Sequence, residues 1–351
     1  MTHSIPPLTA TLFAVGALVA SALLTDLMRY LAAGRGVLDI PNPRSSHEVP
    51  TPRGGGLAIV LVTTAGLLLL ALHGALTWDV FAALAGGGLG VALVGFVDDR
   101  HPLSATVRLG VHFAAALWGL LCLGGLPPIN VGGKLFVLGW GGYALGALGI
   151  VWTLNLFNFM DGIDGIAGSE AAFVGFTGAA LTAMTRGPPE VTLCGLLLGA
   201  ACLGFLRWNW PPAKIFLGDV GSGYLGYFIA VLAIAAARGQ SASLWVWLIL
   251  GGVFLVDATV TLARRMLRRE RLDEAHRSHA YQWLARRWGS HLRMTLVVLL
   301  VNVLWLLPCG AFAALQPQYA AMTVLVALVP LGVLALAAGA GRREVRDGTF
   351  S

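Results

Sequence analysis

Apolar runs of about twenty residues, separated by short polar breaks, recur along the whole 351-residue chain. A membrane-spanning helix needs about 20 predominantly apolar residues. Eleven stretches qualify: roughly 8–28, 54–73, 79–97, 107–125, 139–157, 167–185, 190–208, 219–237, 243–263, 292–312 and 319–339. The pattern predicts an all-α, polytopic integral membrane protein with about 11 transmembrane helices, ten being the alternative count. The fifth and sixth stretches are the least sharply bounded, because polar residues crowd their junction. No Lys or Arg precedes the first stretch and no clear cleavage site follows it, so it reads as a retained helix. No low-complexity linker or clean repeat divides the chain. Residues 1–351 read as a single membrane domain, with a basic loop at 264–293 inside it.

Composition agrees. Hydrophobic residues make up 57% and charged residues only 11%, against about 25% charged in soluble domains. A soluble enzyme is excluded, because a sphere of this size cannot hide so much apolar surface. Forty-six Gly suit close helix approach in lipid. The four Cys all lie in apolar runs, which excludes a disulfide scaffold and makes packing their expected role.

Charge sets the orientation. Of 23 Lys and Arg, 20 fall in the loops after odd-numbered stretches or in the C-terminal tail; Lys134, Arg186 and Arg238 are the others. By the positive-inside rule those loops are cytoplasmic and the N-terminus is outside. The 264–293 loop holds nine Arg against Glu270, Asp273 and Glu274. Anionic lipid and a phosphorylated substrate are both candidate partners; a nucleic acid is not, since no soluble domain presents the charge. The outer loops are short and poor in ionisable groups, so the active site is expected on the cytoplasmic face.

Five cytoplasmic segments carry candidate chemistry. Gly95-Phe96-Val97-Asp98-Asp99-Arg100 ends the third stretch. Adjacent carboxylates stay ionised together only beside a positive group. Asn155, Asn158, Asp161 and Asp164 share one face if their segment is helical, while the Asp-Gly steps equally predict a turn. Asp219, in Phe216-Leu217-Gly218-Asp219, precedes the eighth stretch, as an N-cap or as a ligand. Phe216 could stack on a nucleobase and Asn209 could bond a base edge. His276 and His279, at i and i+3, flank Arg277 and suit a pyrophosphate or a transition metal. Arg44, His47 and Arg53 add positive charge to a Pro-rich loop that ends in Gly54-Gly55-Gly56. Carboxylates gathered on one face suit Mg2+, a hard ion that prefers oxygen, and the Arg, His and Gly nearby suit phosphate.

Taken in order, Gly-Phe-Val-Asp98-Asp99, Asn158-Phe-Met-Asp161-Gly-Ile-Asp164-Gly, Phe216-Leu-Gly-Asp219-Val-Gly-Ser and the His-containing last cytoplasmic loop resemble the polyprenyl-phosphate N-acetylhexosamine-1-phosphate transferases, the MraY/WecA superfamily. The resemblance spans about residues 35–285. The Pro-Arg-Gly-Gly-Gly and His-Arg-Ser-His-Ala-Tyr-Gln runs look closest to the WecA/WbpL branch. Two departures stand out: only His276 and His279 remain of a run of His, and Pro102 stands near a family polar position, with Arg108 the next cation.

The resemblance implies transfer of a sugar-1-phosphate from a UDP-N-acetylaminosugar to undecaprenyl phosphate, releasing UMP, at the bacterial inner membrane. It implies Mg2+, with Mn2+ as an alternative. Asp98, Asp99 and Asp219 would be catalytic and hold the metal. Asn158, Asp161, Asp164, Asn209, Phe216, His276, Arg277, His279, Arg44 and His47 would bind substrate. A homodimer stays open, as do a transporter and a non-catalytic lipid-phosphate binder as rival readings.

Overall fold

The computed structural model describes residues 6–34, 38–40, 49–239, 243–271 and 276–343. It is a helical bundle with two short two-stranded hairpins, Leu38–Asp39 with Thr51–Pro52 and Ile129–Val131 with Lys134–Phe136. The helices are α1 (Pro7–Gly34), α2 (Gly56–Leu72), α3 (Trp78–Asp98), α4 (Ala105–Leu123), α5 (Trp140–Met160), α6 (Ile166–Met184) and α7 (Pro189–Asn209). There follow α8 (Asp219–Arg238), α9 (Leu244–Leu250), α10 (Gly252–Leu267), α11 (Ala280–Trp288), α12 (His291–Leu315) and α13 (Pro317–Ala338).

Every apolar stretch expected from the sequence is helical, but length separates them. Among the described residues nine helices are long and apolar enough to cross a membrane, or ten if α9 and α10 form one span. Those two bend by 78° at Gly251. The remaining stretch, α2, has only 17 residues, about 26 Å at 1.5 Å per residue. Hydropathy counts apolar residues and is blind to a change of direction.

Helix α8 is the hub, packed between α3 and α5 and touching α2. It is buried nearly throughout, whereas α1, α12 and α13 expose apolar side chains as lipid-facing helices do. Glycines and small residues line the seams, and α6 and α7 meet backbone to backbone at Gly175 and Gly195. A π-helical turn at Ala82–Gly86 interrupts α3. Such a turn loosens the carbonyl ladder, and the Tyr227 hydroxyl donates to the Ala83 carbonyl at 2.8 Å.

A second π turn, Asn302–Leu306 in α12, begins at a buried polar pair: Asn302 Nδ2 donates to Glu170 Oε2 at 2.6 Å. Both residues are fully buried. An unsatisfied buried polar group costs about 1–3 kcal/mol. Asn302→Leu is therefore expected to lower the thermal midpoint of the detergent-purified protein, and Asn302→Gln to lower it less.

Candidate active site

The three expected catalytic acids meet where α3 ends and α8 begins. Asp98 is the last residue of α3 and Asp99 follows it. The Asp99 carboxylate accepts the backbone N–H groups of Asp219 at 2.9 Å and Val220 at 3.2 Å. Asp99 thus caps α8 from another helix. This corrects the reading of Asp219 as a cap: Asp219 is the first residue of α8, with Gly218 before it. Gly218 has φ +77, and a Cβ there would lie 2.6 Å from Asp99 Oδ2. Only glycine provides both that turn and that clearance.

Arg53 joins the acids from the other end of the chain. Residues 52–56 run parallel to 216–217: Phe216 N–H donates to the Pro52 carbonyl at 2.8 Å, Gly55 N–H to Phe216 at 2.9 Å and Gly56 N–H to Leu217 at 2.9 Å. This short ladder aims the guanidinium between two carboxylates. Arg53 Nε lies 2.9 Å from Asp99 Oδ1, and Nη2 lies 2.7 Å from Asp219 Oδ1. Burial opposes the charge of Arg53, yet Asp219 and Asp99 outweigh it and raise its pKa. A third of the side chain still faces outward, at 35% exposure, so the cation can reach a bound anion.

Asp98 has its own partners. Its Oδ1 accepts Leu103 N–H at 2.6 Å, and its Oδ2 accepts Arg108 Nη1 at 2.7 Å. Asp98 and Asp219 are close enough to influence each other electrostatically.

The Asp161–Asp164 segment is a turn, and α5 ends at Met160 with Asp161 as its C-cap. The helical row of Asn155, Asn158, Asp161 and Asp164 is therefore broken after Asn158. Asn158 Nδ2 donates to Ser222 Oγ at 3.2 Å on α8. Asp161 faces the acid centre. Burial raises its carboxyl pKa well above the ordinary range; Arg53 pulls it down, while Asp219, Asp99 and Asp164 push it up. Between the unfolded value, about 4, and the raised one, the folded chain holds a proton that the unfolded chain has lost. Its contribution to stability then falls as pH rises. The thermal midpoint of metal-free protein is expected to drop as pH rises above the ordinary carboxylate range, about 4, and Asp161→Asn to flatten the drop.

Two residues expected at the substrate hold the loops together in this structure. Asp164 Oδ2 accepts Ala213 N–H at 3.0 Å and lies 3.3 Å from His291 Nδ1. Asn209 is 4% exposed, and its amide joins Gly165 N–H to the Ile215 carbonyl. Both brace the two loops against each other. Phe216 is half-buried beside the Arg53 ladder.

The basic loop closes over this turn. Residues 276–279 precede α11, so the two His do not share a helix face. Their rings stack, with centroids 5.0 Å apart, and Ser278 Oγ lies 2.9 Å from His276 Nδ1. His279 is 2% exposed and sits 3.4 Å from Asp257 Oδ1. It supports the loop from inside. His276 and Arg277 are half-buried at the surface. Asp257 also accepts the N–H groups of Ala280 and Tyr281 at 2.9 Å each, capping α11. The Tyr281 hydroxyl donates to the Phe159 carbonyl at 3.0 Å, tying the loop to α5. Arg44 and His47 lie outside the described residues.

Comparison with known proteins bears on this arrangement. The sequence pattern of glycosyl transferase family 4 matches residues 81–237. A phospho-N-acetylmuramoyl-pentapeptide-transferase of Moorella thermoacetica is 33% identical over 274 residues, covering 73% of this chain and 81% of the relative. The chain belongs to glycosyl transferase family 4, the superfamily of polyprenyl-phosphate hexosamine-1-phosphate transferases. A probable undecaprenyl-phosphate N-acetylglucosaminyl 1-phosphate transferase of Bacillus subtilis is 29% identical over 290 residues, covering 81% of this chain and 79% of the relative. A decaprenyl-phosphate N-acetylglucosaminephosphotransferase of Mycolicibacterium smegmatis is 29% identical over 358 residues, covering 89% and 84%.

The family 4 match contains Asp98, Asp99, Asp161 and Asp219, but Arg53 and the 276–282 loop lie outside it. Arg53 is the site residue whose role sequence reasoning missed. Its signal was the Pro-Arg-Gly-Gly-Gly run, which marks the branch of the family and adds positive charge but does not name the acids that Arg53 pairs with. His291 and the pairing of Arg108 with Asp98 had no such signal.

The carboxylates offer the oxygen atoms that a hard divalent cation prefers, but few of them. Among the described residues no three His, Cys, Asp or Glu side chains stand ready to hold a metal. Asp99 is committed to Arg53 and to the N-terminus of α8. Asp98 is engaged in the same way, by Leu103 N–H and Arg108, so Asp219, with one oxygen on Arg53, is the acid most open to a cation and Asp98 its neighbour. Mg2+ is commonly held by one or two carboxylates together with substrate phosphates.

Proposed function

We propose that this family 4 enzyme transfers an N-acetylaminosugar-1-phosphate from a UDP-sugar to undecaprenyl phosphate, releasing UMP and forming a lipid-linked diphosphosugar. The observation that carries the reading is the Arg53–Asp219–Asp99 clamp beside the Asp98–Arg108 pair. Alternating acids and guanidiniums, partly open to solvent, suit two phosphate groups that must be brought together against their own repulsion.

A lipid phosphate oxygen attacks the β-phosphorus and UMP leaves. A phosphate monoester is already mostly dianionic near pH 7, its second pKa being about 6. Asp98 is therefore assigned to orienting the lipid phosphate rather than to strong base catalysis. Arg53 and Arg108 hold phosphate oxygens, because a guanidinium fork matches them in a bidentate way. Bound Mg2+, held by Asp219 and Asp98, would screen the two anions and stabilise the charge leaving on UMP. Asn158, Asp161 and Phe216 line the nucleotide side, and His276 and Arg277 face the sugar or pyrophosphate.

An apolar cavity of about 400 Å³ opens between α5, α8 and the bent α9–α10 pair, lined among others by Trp152, Phe157, Ile229, Leu248 and Phe254. Its chemistry suits the polyprenyl chain. The bent pair turns at Gly251 beside it. Eleven spans, an outside N-terminus and a site on the cytoplasmic face of a bacterial inner membrane complete the reading. The product would initiate O-antigen or another envelope glycan. Asp257, an acid inside an apolar stretch of the kind a transporter would use, caps α11, which weighs against the transporter alternative.

The test uses purified protein, undecaprenyl phosphate, Mg2+ and a panel of UDP-N-acetylaminosugars, with UMP as the readout. Release is expected only with lipid and metal, falling to background with EDTA and returning on adding Mg2+. The panel distinguishes GlcNAc from 6-deoxy sugars such as FucNAc or QuiNAc. Folded protein that releases no UMP from any donor would sink the proposal.

A further inference from the structure

Away from the acid centre, three cations converge on one indole. The Arg29 guanidinium carbon lies 4.8 Å from the Trp208 ring centroid, that of Arg207 lies 5.2 Å away, and Lys214 Nζ lies 5.4 Å away. A ring has two faces, so at least two of these cations share one. Like charges held this close repel, and the ring quadrupole offsets only part of that. The ring itself cannot turn away, because Trp208 Nε1 donates to the Ala22 carbonyl at 2.9 Å, stapling α7 to α1.

The backbone holds the cations in place. Lys214 N–H donates to the Trp208 carbonyl at 2.8 Å, which folds the 210–214 loop back over the ring. Arg29 is shared with one acid, Asp26, at 2.7 Å. Among the described residues neither Arg207 nor Lys214 has an ion-pair partner, and both are exposed. The cluster is thus three cations against one anion. A helix C-terminus attracts a cation, which accounts for Arg207 in the last turn of α7 but not for Lys214 curling back to the same ring.

The cluster lies at the ends of two membrane-length helices, α1 and α7, on the side that carries Asp219. Below it α1 exposes Leu12, Val15, Val19, Leu23 and Leu27. We infer that Arg29, Arg207 and Lys214 around Trp208 form a binding site for the phosphate headgroup of an anionic membrane lipid, at the seam of α1 and α7. Two lipid sources share that chemistry: a bulk phospholipid such as phosphatidylglycerol, a diester, and a polyprenyl phosphate, a monoester. The site is assigned to the bulk phospholipid. The cluster borders the exposed apolar face of α1, where bulk lipid is the neighbour; on the proposed function, on which this assignment rests, the monoester is taken by the acid centre.

The experiment uses the full chain in phosphatidylcholine nanodiscs and counts retained lipid by native mass spectrometry. Phosphatidylglycerol, undecaprenyl phosphate and inorganic phosphate are titrated separately. Arg207→Gln/Lys214→Gln is compared with wild type, and the thermal midpoint in pure phosphatidylcholine confirms that the variant is folded. Each cation near a lipid surface is worth enough that losing two should weaken phosphatidylglycerol retention roughly thirtyfold. Undecaprenyl phosphate retention should stay unchanged. Equal phosphatidylglycerol retention by both proteins would overturn the site. Loss of undecaprenyl phosphate alone would overturn its assignment to bulk lipid, and equal competition by inorganic phosphate would show that no lipid is required.

Discussion

Asp219→Asn is expected to cut UMP release on the order of a thousandfold while leaving the fold intact, as removal of one group that stabilises transition-state charge does elsewhere. The substitution keeps the shape, and the amide oxygen can still accept Arg53 Nη2, which lies 2.7 Å from Asp219 Oδ1. It removes the negative charge that faces Asp98 and, on the proposed reading, a ligand of the metal. The loss should appear in kcat more than in KM for the UDP-sugar, because the charge it answers grows during the transfer. Asp99→Asn offers the contrast. Asp99 caps α8 with both oxygens, so its amide should lower the thermal midpoint as well as the rate. If Asp219→Asn proved as active as wild type, or Asp99→Asn as stable, the division between chemistry and scaffold drawn here would be wrong.

Arg53→Ala carries the second large effect. It leaves Asp99 and Asp219 without their shared cation, beside Asp161, which already resists ionisation. Truncating one partner of a buried charge pair costs roughly 2–5 kcal/mol; with a third of Arg53 exposed the lower end applies, about 30-fold in kcat/KM. Part of the loss belongs to substrate binding, so KM for the UDP-sugar should rise. Arg53→Lys should restore less than half of the lost free energy. Lys brings a point charge, whereas the two carboxylates are engaged by separate nitrogens of one planar fork. Steady-state kinetics on the three proteins, with metal held constant, checks this. An Arg53→Lys enzyme indistinguishable from wild type would mean that charge alone matters at this position.

The membrane class and the helix positions were legible because apolar runs measure the lipid core directly. What stayed hidden were directions and distances. The 78° bend at Gly251 and the 17-residue length of α2 are invisible to a count of apolar residues. Among the acids, Asp98, Asp99 and Asp219 could be gathered on one side from span parity alone. Their partners could not, because Arg53 and Asp219 stand 166 positions apart and nothing local to either names the other. The Asp-Gly steps at 161–165 left helix and turn open, and Gly165 at φ +76 decides for the turn. Asn209 and His279 were legible as polar but not as buried: their partners, Gly165, Ile215 and Asp257, lie in other loops and helices.

The ladder between residues 52–56 and 216–217 also sets an order of events during synthesis. Arg53 leaves the ribosome long before Asp219, and the acids of α3 follow it with α8 still unmade. Until α8 arrives, Asp99 has no helix terminus to cap and the guanidinium only one of its two carboxylates. The ladder closes when residues 216–219 emerge, and with it the centre gains its last acid. The 276–282 loop comes later still and lies over a centre already formed, held by Asp257 and Phe159. Domains generally form as the chain is made, N-terminal parts first. A nascent chain halted after α8 would thus hold every charged residue of the clamp but lack its cover, and a ribosome pausing near residue 210 would leave the cation waiting for its partner.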